Sequence, residues 1–263
     1  MEDRLKVAIS LAVKSGNLLK ENYGKIFHEN KKESLRDVVT EVDVHSERLI
    51  IDELKVLYPE DSTLSEELGY FPKDENSIWI IDALDGTVNF LNNIPMFCVS
   101  IAYWKDLKPL VGVVYNPISS ELYYAADGVG AFLNQKKINF SSKPFEQSLS
   151  AMSFSGKAFS LENREKEFKI FGEVNDITRG CLRTGSAGLN LCYLSESRLG
   201  LCLGKANKLW DIAAGIVIAM QSGANVNFVI IDDKKFLVDF VAGTDQSIDD
   251  LKANVDIKYL ELS

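Results

Sequence analysis

The sequence predicts an α+β protein, α+β in its front half and α/β behind, and three observations predict it. Apolar residues recur at helical spacing up to Pro59. Short β-rich runs separated by turn residues fill the stretch 78–126, and strand and helix patterns alternate from Leu149 onward. The 263 residues carry 29 basic and 38 acidic side chains, a net charge of −9, and 46% of them are hydrophobic. A chain of this size buries roughly three quarters of the surface it exposes when unfolded, so one large domain or two closely packed ones is expected and a mainly disordered chain is excluded.

Leu5, Ala8, Ile9, Ala12, Leu19 and Tyr23 share a helical face that Gly24 ends. A polar loop follows through Lys31, Lys32 and Glu33. Thr40-Glu41-Val42-Asp43 fits a capping box, Ile50, Leu54 and Leu57 share a face and Pro59 closes it, so a second helix is expected over 40–57. The runs 78–81, 97–104, 109–115 and 122–126 read as an antiparallel sheet with hairpins. Ser141-Ser142-Lys143-Pro144 interrupts the pattern, giving an expected division into halves 1–142 and 143–263. Behind it come a strand over 149–154, a charged helix over 161–171, a strand near Ile177 and a helix from Ser186. A strand over 199–203, a helix from Asp211 to about Ser222, strands over 226–231 and 236–241, and a final helix and strand complete the chain.

Net negative charge argues against general nucleic-acid or anionic-membrane binding, which needs a basic footprint. No apolar stretch reaches the roughly 18 residues of a membrane span, and the expected location is cytoplasmic. Cys98, Cys181, Cys192 and Cys202 stand singly among apolar residues and read as buried reduced thiols. His28 and His45 are the two histidines, and His45 reads as an exposed, idle residue.

The chemistry concentrates in Ile80-Ile81-Asp82-Ala83-Leu84-Asp85-Gly86-Thr87-Val88-Asn89-Phe90, an apolar strand that ends on two acids and a Gly-Thr turn. Acids at a strand end are held rigidly yet reach solvent, and Gly86 lets backbone N–H groups approach an anion, so a magnesium and phosphate cradle is one reading. An Asx-rich turn is the other. Glu66 and Glu67, after Ser65, are metal ligands or a solvated acidic loop. Asp211 in Trp210-Asp211-Ile212-Ala213-Ala214-Gly215 is a helix cap or a group placed at a helix start to meet a metal or phosphate. Gly185-Ser186-Ala187-Gly188 presents N–H groups to a hydroxylated substrate or simply opens a helix, and Asp43 has the same ambiguity within its capping box.

Taken together, these pieces resemble the inositol monophosphatase family of magnesium-dependent, lithium-sensitive phosphatases. WIIDALDGTVNF resembles its first signature and WDIAAGIVIAMQSGA its second. VVYNPISSELYYA, GVGAFLNQKKI, DVVTEVD and SEE match in order between them and before them, over about residues 30–225. The resemblance implies a layered α/β/α/β/α sandwich of the sugar-phosphatase type. It implies that Glu66, Asp82 and the carbonyl of Leu84 bind one Mg2+, that Asp82, Asp85 and Asp211 bind a second, and that a third, weaker ion associates with Glu66. The phosphate would rest on the N–H groups of Gly86 and Thr87, and Thr87 with Asp43 would orient or deprotonate the attacking water. Gly185, Ser186 and Ala187 would contact the substrate's hydroxylated body, and Lys32 falls in the loop where the family often has a lysine near the site.

The implied reaction is hydrolysis of a small phosphorylated polyol or sugar by direct attack of water, with inositol monophosphate leading. Fructose-1,6-bisphosphate, 3′-phosphoadenosine 5′-phosphate, NADP and histidinol phosphate are the alternatives within the fold. A non-catalytic metal- or ligand-sensing interaction protein is the alternative outside it. A homodimer is implied by the fold relatives. Three departures stand out: Ala83 replaces a proline, at roughly 0.4 to 1 kcal/mol of preorganisation, Ser65 replaces a glycine, and Gly204 stands where inositol-specific members carry an acid. Lys205 or Lys208 would instead favour a second phosphate, or lie on the solvated surface.

Overall fold

The computed structural model describes residues 1–25, 30–31, 38–39, 41–141, 143–155, 161–258 and 260, with only the backbone at 30–31, 38–39 and 75. Among the described residues the chain forms seven α-helices and fifteen strands. The first half runs α1 (Glu2–Asn22), β1 (Asn30–Lys31), β2 (Val38–Val39), α2 (Glu41–Leu57), β3 (Asp61–Ser65), β4 (Gly69–Phe71), β5 (Asp74–Asp85), the short α3 (Thr87–Leu91), β6 (Cys98–Lys105), β7 (Lys108–Asn116), β8 (Glu121–Ala126), β9 (Gly130–Leu133) and β10 (Lys136–Ile138). Then follow β11 (Leu149–Ser153), α4 (Leu161–Ile177), β12 (Gly180–Leu182), α5 (Ala187–Ser195), β13 (Leu201–Lys208), α6 (Leu209–Ser222), β14 (Asn225–Asp232), β15 (Leu237–Gly243) and α7 (Asp245–Asn254).

An eight-stranded sheet has the order β10-β9-β8-β7-β6-β5-β3-β4, antiparallel except for the β3–β5 pair. A five-stranded sheet has the order β12-β11-β13-β15-β14, with β11 parallel to both of its neighbours. β5 shows how the first sheet is covered on both faces. Trp79 and Ile81 pack with Leu11, Leu19, Ile50 and Leu54 of α1 and α2, while Ile80 packs the other way with Leu189, Ile212 and Ile216 of α5 and α6. That two-sided burial is why 78–81 reads as a continuous apolar run. The five-stranded sheet repeats the arrangement: Cys202, Val238 and Phe240 join the α5/α6 layer, and Met152, Leu203 and Val241 face Ile170, Val174, Ile248 and Leu251 of α4 and α7. The layers are therefore α/β/α/β/α, as the resemblance implies.

α6 is the central helix and is apolar nearly all round, with Ile212, Ala213, Ala214, Ile216, Val217, Ile218 and Ala219 buried. It lies directly against β7. A Cβ on Gly112 would run into the carbonyl oxygen of Ala214 and come within 2.8 Å of Val217 Cβ.

Several sequence expectations need correction. The strand expected near Ile177 is the last turn of α4, because Ile170, Val174 and Ile177 keep a helical period against the α4/α7 core, and the strand begins at Gly180. The strand expected over 199–203 starts two residues later and runs on to Lys208. Among the described residues no strand follows α7. β1, β2, β3, β4 and α3 went unforeseen, each being five residues or shorter, while β9 and β10 pair as a hairpin within the GVGAFLNQKKI segment. Thr40, Lys32 and His28 lie outside the described residues, so the expected capping box and the lysine position are not described. The four cysteines are buried free thiols, and His45 is exposed.

Candidate active site

β5 delivers the two acids of the first motif, and it does so through an irregularity. Asp82 is opposite Ser100 and Asp85 opposite Cys98 on β6, with a register shift between them. A bulge of this kind re-aims side chains next to a site. Ala83 and Leu84, fully buried within it, anchor the bulge in the α1/α2 core. The chain then turns through Gly86 at φ +96°, a left-handed conformation in which a Cβ would lie 2.8 Å from the Met96 carbonyl oxygen. Gly86 caps the start of α3, and Thr87 opens the helix with its hydroxyl donating to the Leu84 carbonyl at 3.0 Å.

Three elements converge here. Glu66 follows β3, Asp82 lies in β5, and Asp211 sits in the first turn of α6, and each offers a carboxylate oxygen within 4.8 Å of the others. Ser100, across from Asp82, donates its hydroxyl to the Trp210 carbonyl at 3.3 Å and so ties β6 to the start of α6. Asp85 reaches further across the layers. Its Oδ2 accepts from Ser186 Oγ at 2.6 Å, from the Gly188 N–H at 2.9 Å and from Cys98 Sγ at 3.6 Å. Ser186 is also the N-cap of α5, and Ala187 and Gly188 form its first turn.

The electrostatics of this cluster are unfavourable to its own charge. Burial pushes Asp82 well above the carboxylate range, and Glu66, Asp85, Asp211 and Asp43 push it further. Asp211 is driven the same way by burial, Glu66 and Asp85, eased by Lys208. Asp85 is pushed up to about 6 by burial, with the Ser186, Gly188 and Cys98 donors pulling against it. Repelling, desolvated carboxylates with hard oxygen donors suit a divalent cation, and an all-oxygen set suits magnesium better than zinc or copper.

The structure brings Glu66, Asp82 and Asp211 together, sets Asp85 against Ser186 and the start of α5, and buries Asp43 within reach of Asp82's charge. Gly185 adopts a left-handed φ of +87° just before Ser186. Lys205 is not on the solvated surface. It is 5% exposed, and its ammonium donates to Asp239 Oδ2 on the neighbouring strand at 2.7 Å. That pair spans the register shift between Gly204 and Asn207, where Ala206 takes φ +49° and gives its N–H to Asp239 Oδ1.

Sequence reasoning missed four residues. Asn89 lay inside the quoted motif, and its amide donates to the carbonyls of Met96 and Thr184 at 2.7 and 2.9 Å, joining α3 to the segment before Ser186. Glu47 lies one helical turn after Asp43, a spacing that places both on one face of α2. Cys98 and Ser100 gave no signal, because both sit in an apolar strand.

The sequence profile described as "Inositol monophosphatase family" matches residues 1–238. A Thermotoga maritima protein named fructose-1,6-bisphosphatase/inositol-1-monophosphatase is 34% identical over 230 residues, covering 85% of this chain and 84% of its own. A Haemophilus influenzae protein named Nus factor SuhB is 37% identical over 229 residues, covering 86% and 85%. Among solved structures, the extragenic suppressor protein suhB of Bartonella henselae superposes with a TM-score of 0.87 at 29% identity over 97% of this chain and 99% of its own. The Thermotoga maritima IMPase superposes with a TM-score of 0.83 at 32% identity over 97% of each chain. With its layered fold, its clustered carboxylates and a family match over most of its length, the chain belongs to the inositol monophosphatase family.

Proposed function

We propose that the protein is a magnesium-dependent phosphomonoesterase that hydrolyses a small phosphorylated polyol or sugar, with inositol monophosphate as the leading substrate. The observation that carries this reading is the convergence of Glu66, Asp82 and Asp211 within 4.8 Å beside a strand that runs into the Gly86-Thr87 turn. Glu66, Asp82 and the Leu84 carbonyl would hold one ion and Asp82, Asp85 and Asp211 a second, with a third, weaker one at Glu66. Magnesium there supplies charge stabilisation to the attacking and leaving oxygens of the ester.

The chain's own groups do the rest. The N–H groups of Gly86 and Thr87 hold the phosphate. Thr87's hydroxyl hydrogen is committed to Leu84, which leaves its oxygen to accept from the attacking water and aim it. Asp43 takes up the proton as the water attacks. Gly185, Ser186 and Ala187 meet the hydroxylated body of the substrate, and Asp85, held by Ser186, carries that segment. The printed names of the relatives support inositol monophosphate and fructose-1,6-bisphosphate as substrates. With its ammonium engaged by Asp239, Lys205 itself adds nothing to the bisphosphate reading. We extend the proposal to a lithium-sensitive homodimer working in the cytoplasm; among the described residues no helix is long and apolar enough to cross a membrane.

The test is phosphate release by purified protein with and without magnesium, across inositol 1-phosphate, fructose-1,6-bisphosphate, 3′-phosphoadenosine 5′-phosphate, NADP and histidinol phosphate. A magnesium-dependent preference for inositol 1-phosphate is expected. Magnesium-independent release overturns the metal assignment. Silence across the panel, with magnesium bound, favours the second reading, an interaction protein, for which the name Nus factor carried by a 37% identical relative is the support. Light scattering during gel filtration reads the dimer.

A further inference from the structure

We propose that Glu47 is the positioning residue of the metal site, a buried carboxylate that fixes the Glu66 turn by binding the backbone on its far side; this rests on the reading of Glu66 as a metal ligand. Glu47 is on α2 and is fully buried. Its Oε2 accepts from the Glu67 N–H at 3.0 Å and its Oε1 from the Leu68 N–H at 2.8 Å. The N–H groups of the two residues after Glu66 are thus held by Glu47, while Glu66's own carboxylate reaches Asp82 and Asp211.

A carboxylate buried beside other acids is costly unless it is matched by donors. Here the matching donors all belong to one short turn between β3 and β4. Charge-assisted bonds of this kind are shorter and stiffer than neutral ones. A turn carrying Glu66 and Glu67 would otherwise open outward under the repulsion of Asp82 and Asp211, and Glu47 holds it from behind. Asp43, one turn earlier on α2, is buried within reach of Asp82's charge. One helix face thereby serves the site twice, with Asp43 near Asp82 and Glu47 under Glu66.

The test compares Glu47→Gln with Glu66→Gln in the full-length protein. Titration calorimetry with magnesium alone, hydrogen exchange of the Glu67 and Leu68 amides in metal-free protein, and kcat at rising magnesium are the readouts. Loss of an outer partner of a ligand typically weakens metal binding by about 10- to 100-fold. Glu47→Gln is expected to weaken magnesium by that factor, to speed exchange at both amides and to recover most of kcat at saturating magnesium. A merely structural role would lower the melting temperature and leave the magnesium affinity of the folded protein unchanged, and that result overturns the proposal. If Glu66→Gln binds magnesium as wild type does, the reading of Glu66 fails and the proposal with it. If Glu66→Gln is weakened while Glu47→Gln is not, only the positioning role fails. Should Glu47→Gln not fold, Glu47→Asp keeps the charge but shortens its reach to the Glu67 and Leu68 amides, and an unchanged magnesium affinity there counts against the proposal.

Discussion

Asp85 Oδ2 and Ser186 Oγ lie 2.6 Å apart although 101 residues separate them, and both are buried. The bond ties the end of β5 in the eight-stranded sheet to the cap of α5 in the layer beneath it. Ser186→Ala removes a donor from a buried carboxylate and a cap from a helix, so it is expected to destabilise by about 2 kcal/mol, or on the order of 6 °C in Tm. With that donor gone, the Asp85 carboxyl of the metal-free protein is pushed further up, and magnesium binding, which needs the carboxylate, falls off at a higher pH than in wild type. Magnesium titrations across pH that overlay wild type would remove Asp85 from the ionisations that govern metal binding.

Asp82→Asn is expected to lower kcat at least about 100-fold, the equivalent of losing roughly 3 kcal/mol of charge stabilisation. The metal-free fold should hold or gain stability, because the most strongly penalised buried carboxylate has been replaced by a neutral group. Phosphate release and thermal melting on the same preparation check both parts. Turnover like wild type would refute a shared ligand at this position.

The metal-free protein should lose stability as pH rises. Asp82, Asp85 and Asp211 all have folded-state pKa values above the unfolded value of about 3.9, so the folded state holds more protons across the interval. Their contribution is complete below about pH 4 and is lost as pH climbs through about 6, where Asp85 titrates, and beyond for the other two. Glu47 and Glu167, raised by burial, act in the same direction. Melting in chelator from about pH 5 to about pH 8 should show a fall on the order of 5 °C or more, and magnesium should reverse it. A rising Tm over that interval without metal would contradict the buried-acid account.

Lys205→Met removes the ammonium that faces Asp239, which is fully buried. Breaking a buried ion pair from one side costs about 3 to 5 kcal/mol, so a fall on the order of 10 °C in Tm is expected with no change in substrate preference among folded molecules. A variant that melts with wild type but loses bisphosphate use would return this lysine to the substrate.

Much of this architecture was legible in the sequence because the elements that matter have strong periods. The apolar run at 78–81 and the helical spacing of Ile212, Ala213 and Ile216 place two of the carboxylate arms, and the signature strings around Asp82 and Asp211 locate them. What stayed hidden depends on partners distant in sequence. Lys205 reads as a surface lysine because nothing nearby in the chain announces Asp239, two strands on. Glu47 reads as an ordinary polar helix residue because its partners are backbone N–H groups, which every sequence contains. Ile177 was misread because a β-branched pair, Ile177-Thr178, imitates a strand where the buried face of α4 was still running.

The contact between Gly112 and the Ala214 carbonyl gives the cleft a built-in gauge. At Gly112 no side chain stands between β7 and α6, so there the height of the helix over the sheet, and with it the depth of Asp211, is limited by backbone meeting backbone. A single methyl group at 112 would act as a shim between β7 and α6, lifting the helix and with it the wall of the site that carries Asp211.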